Sequence, residues 1–178
     1  MEFESLSQWR RSAFCAAMAE RNRNHTILFS DMLDQDSKPY TKLLSKTWAF
    51  LEGELKSLDN LERFFNEFDQ WQTELLNGQD SFGAEAAQQA CQSLYSASYA
   101  LLDETANDCE LVQLSNQQLF SEMADMGQES EELASRHRDF EQQIMEALAS
   151  GKPKREVILT IKSLACSEKE SSLGITLD

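Results

Sequence analysis

From Phe64 through Ser135 the chain has no lysine and no arginine, while fourteen Asp and Glu occur there. The whole protein carries a net charge of −15. Affinity for nucleic acid and for anionic membranes rests on clustered basic groups, so this middle argues against both as partners. It suits a solvated acidic surface, and it suits a face that attracts a basic protein. Chain breakers are scarce, with six Gly and two Pro in 178 residues, which points to helices joined by short turns. No apolar run approaches the roughly 18 residues of a membrane span. The opening MEFESLSQWRR has no apolar core of a signal peptide. The four cysteines, Cys15, Cys91, Cys109 and Cys166, show no CxxC spacing, and three of them fall within helical apolar patterns. That is the usage of a reducing compartment, with buried thiols acting as small hydrophobes, and it places the protein in the cytoplasm. There is no Gly-rich phosphate loop, no nucleophile elbow and no HExxH, and only two histidines.

What is present is helical period. In FGAEAAQQACQSLYSASYALLDE, Phe82 to Glu104, the apolar and small residues recur in steps of three and four. Ser81 is placed to cap this helix, and Tyr95 and Tyr99 form a second stripe beside the first. Small side chains let neighbouring helices approach, so this stretch is expected at the centre of the domain. Before it, helices are expected over 5–23, with an inner face from Leu6 to Met18 that leaves Glu20 and Arg21 largely aside, then over 25–33 (burying Ile27, Leu28 and Met32) and over 39–56. A fourth, capped by Asp59 or Asn60, carries Leu61, Phe64, Phe65 and Phe68. After it come helices over about 108–126, 130–148 and 154–167. Residues 168–178 form a Ser-rich tail, extended against the body or flexible. The expected architecture is therefore all-α: one domain, 1–178, a bundle of seven to eight helices around the Ala/Ser-rich one.

Candidate chemistry is sparse. His137 and Glu141 stand four apart on one helix and could face a common metal, but a site needs three or four ligands, and His137 also lies on the apolar stripe of its helix. A hydrogen-bonded core histidine is the simpler reading. His25 falls near a turn and reads as a capping or surface residue. Glu20 and Arg21 follow a helix bearing Trp9 and Phe14, where a buried ion pair to another helix would specify packing. The candidate ligand-binding residues are thus Glu20, Arg21 and His137; no catalytic residue, metal or cofactor is indicated.

Several blocks occur together in order: Leu6, Trp9 and Phe14 running into Glu20-Arg21; Tyr40, Leu44, Trp48 and Leu51; Phe82 to Cys91; and the closing Leu173-Gly174-Ile175. In these the chain resembles the YjaG-like proteins, a gammaproteobacterial family of unknown function. The resemblance implies a compact all-helical cytoplasmic protein and supplies no activity. Glu20, Arg21, Gly83 and Cys91 are its non-trivial matching positions. The chain departs from it at EFDQWQTELLNGQDS, which is more helical than the family's connection there and leaves open where the fourth helix ends, near Trp71 or later. The function expected is a non-catalytic helical module that binds a basic protein or a second copy of itself. The alternative is an enzyme or small-ligand-binding protein with a pocket between helices.

Overall fold

Two of the helices carry small side chains on nearly every side, and they pack on each other. In the computed structural model, which describes residues 2–167 and 169–177, these are α1 (Gln8–Arg21) and α5 (Phe82–Leu102). Every residue of α1 from Ser12 to Arg21 is buried, and Ala84, Ala86, Ala87, Ala90, Ala97 and Ala100 of α5 are buried with it. Ser12 Oγ donates to the Ala97 carbonyl at 2.7 Å, a bond that requires the two backbones to run close together. The serines of α5 do not demand partners elsewhere: Ser93 and Ser98 bond back to the carbonyls of Gln89 and Leu94 four residues earlier.

The other helices surround this pair: α2 (Arg23–Met32), α3 (Lys38–Leu51), α4 (Leu58–Leu76), α6 (Cys109–Asp125), α7 (Glu131–Leu148) and α8 (Lys154–Ser167), after a 3-10 turn at Phe3–Ser5. No strand occurs among the described residues. Helices α2, α3, α4 and α6 lie on α5, while α3, α6, α7 and α8 lie on α1, so the expected all-α single domain around the Ala/Ser-rich helix is what forms. The centre is shared with α1, however. The amphipathic pair α3 and α4 contributes Leu43, Leu51, Leu61 and Phe68 to the core, with the Tyr40 and Phe68 rings edge to face at 6.0 Å, and the Tyr40 hydroxyl donates to the Ala19 carbonyl at 2.8 Å.

Helix starts follow local chemistry. Ser81 Oγ accepts from the Ala84 amide, as its position implied. For α4 the cap is Ser57, accepting from the Asn60 amide, in place of Asp59 or Asn60. Helix α4 runs past Trp71 to Leu76 without a break. The inner face of α2 is not the apolar one. Met32 is 74% exposed and Leu28 41%, while Asn24, His25, Thr26, Phe29 and Ser30 are buried. Burial of these polar groups is offset by the hydrogen bonds described below.

Two substitutions test this packing. Ala97→Leu drives a larger side chain into the α1–α5 contact and is expected to destabilise the fold by roughly 1–3 kcal/mol. Trp48→Ala empties a buried ring position on α3 and is expected to cost roughly 3–5 kcal/mol. Urea unfolding of both variants measures these losses.

Candidate functional site

Successive residues on a helix point about 100° apart, and this separates Glu20 from Arg21. Both lie off the Leu6–Met18 face yet are buried, as a buried ion pair would require, and the ion pair of Glu20 is with Arg23. Glu20 faces α8: its carboxylate holds Arg23 Nη1 at 3.2 Å, and partial burial, with the nearby Glu20 charge, pushes the Cys166 thiol up. Arg21 turns to α7, its guanidinium 4.6 Å over the Phe140 ring. On the way it borders a pocket of about 210 Å3 shared with Arg136, Asp139 and Ser167. His137 lies between the rings of Phe120 and Phe140, with centroids at 5.7 and 6.2 Å. The structure thus brings Arg21 and His137 to a common neighbour, Phe140, and leaves Glu20 elsewhere.

His137 Nε2 is 2.9 Å from Glu141 Oε1, but out of line for a hydrogen bond, and both ring nitrogens lack a bonded partner. Gln113 donates to the other oxygen of Glu141 at 2.9 Å. Beside the pair a pocket of about 140 Å3 is bounded by Phe120, Ala134, Gln117 and Arg138. The imidazole nitrogens and Oε1 are closed off from water. Among the described residues no three His, Cys, Asp or Glu side chains are grouped to hold a metal.

The most developed polar arrangement is one the periodicity did not disclose. At the α1–α2 junction, the Asn22 side-chain amide donates to Gln89 Oε1 and Asn116 Oδ1, both at 3.0 Å. Its own oxygen accepts from the Ser172 backbone amide at 3.0 Å. Asn24 donates to the carbonyls of Lys169 and Ile175. His25 Nε2 is 2.7 Å from Ser171 Oγ. These contacts seat the closing segment, whose Ser171 and Ser172 are buried and whose Leu173 enters an apolar cluster with Ala86, Leu119 and Phe120. The chain reaches this position through a tight turn in which the Ser171 amide bonds the Ile175 carbonyl. Gly174 supplies the turn's φ of +77°, and a Cβ there would meet Leu133 at 3.4 Å.

A serine and a histidine 2.7 Å apart have the spacing of a nucleophile and its base. Here the hydroxyl also accepts the amides of Leu173 and Ile175. Its oxygen is surrounded, and the bordering residues of the pockets described do not include it. Burial pulls the His25 pKa down from 6.5 to about 4, with the His137 charge adding to the fall and the Ala86 carbonyl opposing it. His25, expected as a capping or surface residue, is a neutral buried pin for the tail.

Concave surface lies elsewhere. A groove of about 320 Å3 runs between α5 and α6, bordered by Glu85, Gln88, Gln92, Leu111, Gln118 and Glu122. Glu85 and Glu122 are in contact, and the bond between them raises the Glu85 pKa. Leu111 and, one turn on, Leu114 are each 51% exposed on α6. A wider groove of about 990 Å3 passes Trp9, Phe50, Leu58 and Tyr99.

The residues of this framework fall within a match that runs almost from end to end of the chain, residues 1–176. The protein belongs to DUF416, a family described as proteins of unknown function. An uncharacterized protein of Haemophilus influenzae is 27% identical over 187 residues, covering 97% of this chain and 93% of its own length. No solved structure matches. Membership in DUF416 brings no reaction with it, and no helix among the described residues is long and apolar enough to cross a membrane.

The tail seat makes a pH prediction. Because the folded state holds His25 neutral down to about pH 4 while the unfolded chain protonates near 6.5, the unfolded state binds the extra proton between these values. Stability from this group is therefore complete above about pH 6.5 and falls by roughly 3 kcal/mol as pH drops to about 4. Urea midpoints across that range measure the slope, and His25→Gln is expected to remove this part of it. At constant neutral pH, Asn24→Ala is expected to speed amide exchange in residues 171–175 ahead of the helices.

Proposed function

We propose that this protein is a non-catalytic helical module that docks a basic segment of another protein on its α5–α6 face. The observation that carries the reading is the groove between those helices: exposed Leu111 for apolar contact, Glu85 and Glu122 pressed together, and no basic residue on its border. Two carboxylates in contact favour a cation between them, and an apolar side chain within a polar rim is the common anatomy of a docking site. The face belongs to the stretch that lacks lysine and arginine, so a basic partner is drawn to it over distance. The same composition, with buried reduced thiols, supports a cytoplasmic location. The ordered blocks from Leu6 to Ile175 support the YjaG-like, gammaproteobacterial branch of the family.

The second reading, a small-ligand protein or enzyme, rests on the pocket of about 140 Å3 beside His137 and Glu141. Its size is near that of a cavity of about 150 Å3 that binds benzene. It ranks second because both imidazole nitrogens and Glu141 Oε1 are closed off from solvent, although His137 and Glu141 line the pocket.

The test is affinity capture on the immobilised protein at low and high salt, with a Glu85→Lys/Glu122→Lys bait in parallel. The expected result is a Lys- or Arg-rich protein retained at low salt, released at high salt and absent from the variant, with the purified partner repeating this behaviour. Capture indifferent to both salt and charge reversal, or no capture at either salt, contradicts the proposal.

A further inference from the structure

Cys15 and Cys109 come from distant parts of the chain, yet their sulfurs lie 3.9 Å apart. Cys15 is midway along α1, and Cys109 is the first residue of α6. Both are buried as free thiols, and Cys109 Sγ also donates to the Arg11 carbonyl at 3.6 Å. The other two cysteines have different surroundings. Cys91 is paired with Thr26 at 3.8 Å, and burial pushes its thiol up to about 12. Cys166 is exposed at the end of α8.

We propose that Cys15 and Cys109 are a dithiol site for hydroperoxides, closing to a disulfide that staples α1 to the start of α6. The sulfurs have to close from 3.9 Å to about 2.05 Å. Access comes through the connection between α5 and α6, where Glu104, Thr105 and Asn107 are exposed. Polar bonds tie that connection to the body. Arg11 donates to the carbonyls of Ala106 and Glu104, and Asn107 donates to the Phe3 carbonyl. Segments held in this way open locally more readily than helices in the core.

The order of events follows from the two environments. Cys15 lies midway along α1, away from that connection. Cys109, which directly follows the exposed connection, takes the oxygen first. Its sulfur attacks the hydroperoxide, the O–O bond breaks, and Cys109 becomes a sulfenic acid as the alcohol (or water, from hydrogen peroxide) leaves with the thiol proton. Cys15 sulfur then attacks the Cys109 sulfur, the S–O bond breaks, and the departing hydroxide takes the Cys15 proton as water. Two thiols have lost two electrons and two hydrogens in all, and one peroxide has been reduced. This site is independent of the docking face and stands or falls separately from it.

The experiment uses the full chain with the exposed thiol removed, Cys166→Ser. The folded protein is treated with hydrogen peroxide, quenched, denatured, alkylated and mapped by mass spectrometry, with the guanidinium-unfolded chain treated alongside. The proposal expects a loss of two of the three remaining thiols, a Cys15–Cys109 crosslinked peptide as the sole pairing, monomeric protein and full recovery of both thiols with dithiothreitol. Amide exchange in residues 103–108 is expected to slow on oxidation. Recovery of both Cys15 and Cys109 as alkylated thiols overturns the proposal. So does oxidation of Cys109 to sulfinic acid with Cys15 left free, or the same mixture of pairings with Cys91 that the unfolded chain gives. Because the crosslink is read in a chain that keeps Cys15 and Cys109, the result does not depend on a core variant folding.

Discussion

The close packing of α1 on α5 through alanine and serine is the constraint on which the rest of the fold depends. Small side chains give the two helices little apolar area each, but they let the backbones approach until one helix can bond the other's carbonyl, as Ser12 does with Ala97. A pair packed so tightly presents its remaining sides to everything around it. Large aliphatic and aromatic side chains are supplied by the surrounding helices, notably Leu43, Trp48, Leu61, Phe68, Ile144 and Ile158. The hub is narrow and the shell is large, which is why α1 can be buried residue after residue at its C-terminal end.

That burial has a consequence where α1 stops. The backbone turns from α1 into α2 inside the protein, and the polar residues of the junction have no water to turn to. The Asn22 and Asn24 side chains and His25 Nε2 are bonded instead by Gln89, Asn116 and the closing segment. Buried amides left unbonded would each cost about 1–3 kcal/mol. The closing segment is therefore a structural component of the hub, contributing backbone groups to polar side chains and Leu173 to an apolar niche. The Ser171–His25 contact belongs to this arrangement. Its geometry resembles a reactive pair, but the two amides on the hydroxyl give it the role of a fastening.

The sequence made some of this plain and concealed the rest for identifiable reasons. Helices α3, α4 and α5 announce themselves because their buried faces are apolar at helical spacing, and the order and number of helices follow. The orientation of α2 was hidden, since the apolar residues Leu28 and Met32 face water and the polar ones face inward. Apolar periodicity cannot find a helix whose inner face is made of Asn, His, Thr and Ser, because what selects that face is a set of partners as many as 151 residues away along the chain. The same applies to Glu20 and Arg21, whose burial depends on α8 and α7 arriving beside them. His137 was legible on its stripe, while the closeness of Cys15 to Cys109 is a property of the assembled fold. The acidic middle was legible as composition, but the meeting of Glu85 with Glu122 across the α5–α6 groove required the helices to be placed.

The central claim is that α1 and α5 form one inseparable core. Native-state hydrogen exchange measures this most directly. The account predicts that amides within 13–20 of α1 and 87–97 of α5 are the slowest in the protein and exchange with the free energy of global unfolding. If α1 instead exchanges through a local opening of lower free energy while α3 and α4 keep their protection, the hub is elsewhere and the account is wrong.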